Sequence, residues 1–276
     1  MMDLFFPPGA SEHAYAIDRI VDWVHILMFV LFIGWGAFFA YVLIRFRKGA
    51  NPKASYTGTS GKASKYVEIG VAVAEVVLLI GFSIPLWAER VNEFPPEGDS
   101  VVVRVVAQQF AWNVWYPGED GVFGQARPDL VDEETNPVGL DRTDEAAKDD
   151  ITTINQLYLP KGQPAIIHIS SKDVIHSFNL PNMRIKQDAV PGLSIPVWFV
   201  PTKTTEEMRE ELKSVERYKD TASEFQFEIA CAQLCGNSHY SMRGFLTVMT
   251  PDGFQAWLDE EASYLSDGSE EDAFWN

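Results

Sequence analysis

From Trp23 to Ile44 the chain carries no Asp, Glu, Lys or Arg. As a helix, those 22 residues would extend about 33 Å, enough to cross a bilayer core of about 30 Å. Asp22 bounds the stretch on one side, and Arg45, Arg47 and Lys48 on the other. A second apolar stretch, rich in Val, Leu and Ile, runs from Tyr66 to Trp87. Two buried core helices are the alternative, but the length favours membrane spans. The first stretch also differs from a secretory signal, because its positive cluster follows the apolar run instead of preceding it.

Charge orients this hairpin. Residues 45–65 hold Arg45, Arg47, Lys48, Lys53, Lys62 and Lys65 and no acid, so the connecting loop is expected in the cytoplasm. Both termini and the remainder of the chain then lie on the periplasmic side of a bacterial-type inner membrane. Trp23, Tyr66 and Trp87 sit near the span ends, as interfacial aromatics do. Glu68 lies near the cytoplasmic end of the second span and Glu75 deeper within it. A carboxylate at the bilayer centre costs roughly 2.5–3.5 kcal/mol, so Glu75 is expected to face a protein partner or a polar path. The hairpin therefore reads as part of a larger membrane complex.

The net charge of the 276 residues is −17, which argues against a nucleic-acid partner, whose phosphates need a basic face. It is unevenly spread: residues 1–65 have 7 basic and 4 acidic side chains, whereas residues 66–276 have 15 and 35. After Phe94-Pro95-Pro96 short β-rich runs appear at Val101–Val106, Ala165–Ser170, Val197–Val200, Phe225–Ala230 and Phe245–Met249, punctuated by Gly, Pro and Asp. Helical periodicity is confined to Thr204–Tyr218 and Asp252–Tyr264. The expected organisation is an N-terminal segment and transmembrane hairpin over 1–94, then an all-β, Greek-key domain over 95–276. An acidic insertion at 117–150 and a charged helical insertion at 203–221 are expected to interrupt that domain.

Both cysteines fall in one loop, Cys231-Ala-Gln-Leu-Cys235-Gly-Asn-Ser-His239-Tyr-Ser-Met242. Thiolate, imidazole and thioether form a soft ligand set, which suits copper better than magnesium, calcium or manganese. Zinc rarely takes a Met ligand, and its knuckles usually open with a shorter Cys spacing. A mononuclear blue-copper site needs one Cys, two His and an axial Met. This loop has a Cys to spare, so two thiolates could bridge two copper ions with one imidazole for each. A Cys231–Cys235 disulfide is the competing reading in an oxidising compartment. The second imidazole must come from upstream. His176, at a strand-to-loop transition, is the better candidate, and His168 reads as a strand residue.

Asp173-Val-Ile-His176-Ser-Phe, then Lys186-Gln-Asp188-Ala-Val-Pro191-Gly192, then the cysteine loop, resemble subunit II of the cytochrome c oxidases, in the heme–copper oxidase family. The resemblance covers the hairpin and residues from about Val101 to Trp257. It implies a cupredoxin-like domain holding a dinuclear Cu(A) centre, with His176, Cys231, Cys235, His239, Met242 and the backbone carbonyl of Gln233 as ligands. It also implies that Glu68 stands at the mouth of a proton path into subunit I. The family often has Glu where this chain has Gln233, and that side chain helps hold a magnesium ion shared with subunit I. A neutral amide is a weaker magnesium ligand, so the magnesium is in doubt. In the stretch Gln109–Tyr116, Phe110 stands where the family has its electron-accepting tryptophan, and Trp112 follows two residues on.

By this resemblance the chain takes electrons from a c-type cytochrome, either soluble or held in a membrane complex. It passes them to heme in subunit I for reduction of oxygen, coupled to proton translocation. A basic donor suits the acidic outer face, with Glu119, Asp120 and Asp173 expected to border the point of electron entrance. Two other functions compete. A quinol oxidase subunit would have no need of the intact ligand set, and a nitric oxide reductase partner would be separated by the heme types of the purified complex.

Overall fold

The computed structural model describes residues 6–53, 56–57 and 61–266. The two chain ends, expected on the periplasmic side, and part of the basic 45–65 loop lie outside the described residues. The chain divides into two compact units.

The first unit is helical. Helix α1 runs Ala14–Arg45. The second rod starts as α2, Lys62–Val76, passes through a π-helical turn at Val77–Ser83, and continues as α3, Ile84–Asn92. Both rods are long and apolar enough to cross a membrane, and their apolar windows are unburied within the chain. Their surface is thus left for lipid or for another subunit. The π-helical turn had no counterpart in the sequence reading. It releases carbonyls from the regular ladder, and Ser83 Oγ donates to one of them, Leu78 O, at 3.2 Å. Glu68 accepts from Ser64 Oγ at 2.8 Å, one turn earlier, and Glu75 is exposed two residues before the π-helical turn.

The second unit comprises Pro7–Ala14 and the chain from Glu93 onward. The break after Asn92 falls close to the expected boundary at 94, but Pro7–Ala14 was expected with the hairpin and packs instead in the outer unit. Its own side chains gave little sign of this, because backbone groups do most of the holding. Ala10 N–H donates to Asn182 O, Glu12 N–H to Val200 O, and Thr202 N–H to Ala10 O. Asn182 and Arg184 donate to the carbonyls of Pro8 and Pro7.

Among the described residues, ten strands form two five-stranded sheets. They are β1 (Val101–Gln108), β2 (Ala111–Tyr116), β3 (Ile151–Ile154), β4 (Gln156–Pro160), β5 (Ala165–Ser171), β6 (His176–Leu180), β7 (Ile185–Ala189), β8 (Ile195–Phe199), β9 (Phe227–Cys231) and β10 (Arg243–Met249). The sheet orders are β3-β2-β1-β5-β8 and β4-β10-β9-β6-β7. β1 pairs with β5, and β4 with β10, in parallel, and the other pairs are antiparallel. Alternate residues point inward: Val103, Val105 and Ala107 from β1, Ile167 and Ile169 from β5, Phe178 and Leu180 from β6, Phe227 and Ile229 from β9, and Leu246 and Val248 from β10 are all buried. Apart from Ala107, each such side chain contributes roughly 1.5–3 kcal/mol through burial.

Both insertions are packed structures. Across 117–150, Val138, Leu140 and Ala147 bury against Trp115, with Phe123 and Val106 alongside. Arg104 stacks its guanidinium 4.1 Å from the Phe123 ring centroid. In the second insertion, helix α4 (Thr205–Lys213) opens with a capping box, in which Glu207 N–H donates to Thr204 Oγ1 and Thr204 N–H to Glu207 Oε2. Its Met208 and Leu212 enter the main core. Helix α5 (Pro251–Ser266) is the last of the described elements, with Trp257 stacked on Tyr158 at 4.4 Å.

Candidate metal centre

The strand directions bring four loops to one end of the sandwich. β1 and β2 meet there at Gln109–Phe110, β5 leads into β6 through 172–175, β7 leaves through 190–194, and β9 leads into β10 through 232–242. Cys231 closes β9, and His176 opens the neighbouring strand β6. The register pairs Phe178 with Cys231, so His176 lies just beyond the paired region, over the cysteine loop.

The candidate ligands converge. Cys231 Sγ and Cys235 Sγ are 3.7 Å apart and are not joined. His176 Nδ1 lies 3.9 Å from Cys231 Sγ, and His239 Nδ1 lies 3.6 Å from Cys235 Sγ. Each sulfur thus has its own imidazole. Met242 Sδ is 3.8 Å from Cys235 Sγ, and the Gln233 carbonyl oxygen is 3.2 Å from Cys231 Sγ. The ligating atoms of His176, Cys231 and Cys235 all lie within 4.8 Å of one another. His168 stays on β5, opposite Arg104 in the register and away from this cluster. The Gln233 side chain is exposed.

Burial grades the set. His176, Cys235 and Met242 are buried, and Cys231 and His239 are half-buried. Burial, together with the neighbouring Cys231 thiol, pushes the Cys235 thiol up to about 11. On the far side of His176, Nε2 is 2.8 Å from Asp173 Oδ1. With the proton on Nε2, this bond leaves the Nδ1 lone pair aimed at the sulfurs, the arrangement metal-ligating histidines usually have. Burial alone would raise the Asp173 carboxyl. The hydrogen bonds from His176, Gln109 N–H and Val174 N–H outweigh it and hold Asp173 below the ordinary carboxylate range. This bracing of His176 was not foreseen. The only signal was an acid three residues before the histidine.

Phe110 and Trp112 separate in the structure. Phe110 is half-buried at the surface of the loop end, whereas Trp112 is completely buried. The Trp112 ring stands edge-on to His176, with centroids 6.2 Å apart. A docked protein therefore could touch Phe110 but not Trp112. The expectation for Glu119 and Asp120 also needs correction. β2 carries Ala111 at the loop end and Tyr116 about 17 Å away, so these two acids sit at the opposite end, where Asp149 accepts from both backbone amides. Sequence adjacency to the aromatic stretch misled because the strand reverses the geometry. The acids of the insertion that do approach are different. Lys172 Nζ donates to Pro137 O at 3.0 Å, which lays the 132–137 turn, with exposed Glu133 and Glu134, against the loop before His176.

The fold and donor set define a class: a β-sandwich with a soft-metal site at one end, attached to a hairpin of membrane-type helices. The family model for the periplasmic domain of cytochrome c oxidase subunit II matches residues 101–206. The alternative cytochrome c oxidase subunit 2 of Bradyrhizobium diazoefficiens is 29% identical over 271 residues, covering 96% of this chain and 88% of the relative. Cytochrome c oxidase subunit 2 of Cereibacter sphaeroides is 26% identical over 272 residues, covering 92% and 79%. The crystal structure of the periplasmic domain of subunit II of the cytochrome oxidase of Bradyrhizobium japonicum covers 60% of this chain and 95% of its own, at 21% identity and a TM-score of 0.39. Residues 101–206 are thus similar to the periplasmic domain of cytochrome c oxidase subunit II, and over most of its length the chain is similar to cytochrome c oxidase subunit 2 of these two bacteria.

Proposed function

We propose that this chain is the electron-accepting subunit of its oxidase and holds a dinuclear Cu(A) centre. The observation that carries the reading is the pairing of one imidazole Nδ1 with each of two adjacent, unjoined sulfurs, with a thioether and a carbonyl beside them. His176, Cys231, Gln233 through its carbonyl, Cys235, His239 and Met242 would hold the metal. Two coppers sharing thiolates would supply one-electron storage with little rearrangement between redox states. The protein's part is to fix the ligands. Asp173 orients His176, and burial of Cys235 and Met242 keeps water from that side. At 233 a magnesium ion would meet a neutral amide, a weaker ligand for it than a carboxylate.

Electrons would come from a c-type cytochrome docked over Phe110, with the Trp112 ring lying behind it against His176. They would leave to heme in subunit I, where oxygen is reduced and protons are translocated. Glu68, near the start of the second rod, is assigned to the mouth of the proton path. The domain division proposed is a hairpin up to about residue 92 and a copper domain beyond it, with Pro7–Ala14 counted in the latter. The basic loop faces the cytoplasm, and both termini face the periplasm of a bacterial-type inner membrane. In the assembled oxidase, Glu68→Gln should slow turnover and leave reduction of the copper by the donor unchanged. Turnover equal to wild type at every pH would remove Glu68 from the path. Cys235→Ser should abolish donor oxidation, and a fully active Cys235→Ser oxidase would overturn the copper reading.

A further inference from the structure

Gln109, in the turn between β1 and β2, is exposed at the surface, yet both its donors reach distant parts of the chain. Its backbone N–H donates to Asp173 Oδ2 at 2.6 Å, and its side-chain Nε2 donates to Cys235 O at 2.5 Å. The residue next to Cys235 is shaped to allow this. Gly236 has φ +142°, and a Cβ there would lie 2.7 Å from Gln109 Nε2 and 3.0 Å from Phe110 Cζ. The Phe110 ring and the glutamine amide therefore rest on bare backbone immediately beside Cys235. The contacts close a ring. Gln109 N–H meets Asp173, Asp173 meets His176 Nε2, and His176 Nδ1 faces Cys231 Sγ. Cys231 Sγ faces Cys235 Sγ, and the Cys235 carbonyl returns to the Gln109 amide.

We propose that Gln109 is a positioning residue: it clamps the Phe110 turn onto Cys235–Gly236, so that one side chain sets both the seat of the Phe110 ring and the lie of the cysteine loop. A glutamine left in water would lose nothing by disorder. Here its side chain is ordered by the bond to the Cys235 carbonyl, which with the backbone bond to Asp173 ties three loops together across the site. Its role in electron transfer rests on the copper reading above, whereas the clamp itself does not. Gln109 touches no reacting atom. It acts through Phe110 and through the backbone of Cys235.

The test uses the full chain in detergent and the variant Gln109→Met, which keeps the length of the side chain and cannot donate. In the metal-free chain, hydrogen exchange of peptides covering 231–242 should accelerate two- to tenfold, the factor expected for one neutral hydrogen bond. In the copper-loaded chain, Gln109→Met should keep its full copper content but change the copper hyperfine splitting. Its reduction by a soluble c-type cytochrome should slow two- to tenfold at an unchanged salt slope. Exchange within error of wild type in the metal-free chain would overturn the clamp. Altered exchange with an unaltered copper signal and rate would overturn its part in electron transfer. If the wild-type chain took up no copper, the copper reading would fail, and the exchange measurement would still decide the clamp.

Discussion

Asp173→Asn isolates the bracing of His176. The carboxylate accepts from His176 Nε2 at 2.8 Å and from Gln109 N–H at 2.6 Å, and its side chain is 29% exposed. Hydrogen bonds to a charged group contribute about 1.5–3 kcal/mol each. The asparagine oxygen can still accept from His176, but its amide end then faces the Gln109 N–H, donor against donor. A net loss of about 1.5–2 kcal/mol corresponds to metal affinity roughly ten- to thirtyfold weaker, inside the range of about 10–100-fold for outer partners of ligating histidines. Competition for copper against a chelator of known affinity, at neutral pH, measures it. Affinity within threefold of wild type would refute the argument that Asp173 holds the ring. The same variant has a pH signature in the metal-free protein. Because the folded-state value of Asp173 is lowered, its stabilisation is present above the ordinary carboxylate range and is lost as pH falls through the lowered value. Asp173→Asn should remove that part of the acid limb of the stability curve, and identical acid limbs would contradict the assignment.

Two other outcomes follow from the site's burial and charge. Cys235 is buried with its thiol raised to about 11, and Cys231 is half-buried, so iodoacetamide should label Cys231 well before Cys235 in the metal-free chain, as read by peptide mass spectrometry. If a basic soluble donor is steered to the loop end, neutralising Glu133 and Glu134 should flatten the fall of its second-order rate with salt. Neutralising Glu119 and Asp120 at the opposite end should do much less, since exposed charges are screened beyond about 10 Å at 0.1 M ionic strength. Equal effects from both pairs would place the donor elsewhere.

What could be read from the chain was what is written locally. The charge-free run Trp23–Ile44 announces a long helix by itself, and five of the six candidate ligands lie within twelve residues, Cys231–Met242. His176 needed only one long-range step, from β6 to β9. The strands that escaped notice include the short Ile151–Ile154 and Gln156–Pro160 and two polar ones. His176–Leu180 and Ile185–Ala189 contain His, Ser, Asn, Lys, Gln and Asp and owe their conformation to sheet neighbours. Pro7–Ala14 is held largely through its own backbone groups, paired with backbone groups and with the Asn182 and Arg184 side chains about 170–190 residues away in sequence, which leaves little pattern in its side chains. Gln109 and Asp173 were legible as residues but not as partners, because only the folded loop end brings them to Cys235 and His176. The 203–221 segment was expected to be an excursion. Met208 and Leu212 make it part of the core, and Val248 N–H donates to Thr205 Oγ1 at the end of the sandwich away from the cysteine loop.

The most direct measurement is copper content with an electron paramagnetic resonance spectrum of the purified full chain, loaded and partly reduced. Two coppers per chain, with one unpaired electron split by two equivalent copper nuclei, is the expected result. One copper with the splitting of a single nucleus, or a chain that loads no copper because Cys231 and Cys235 form a disulfide, would contradict it.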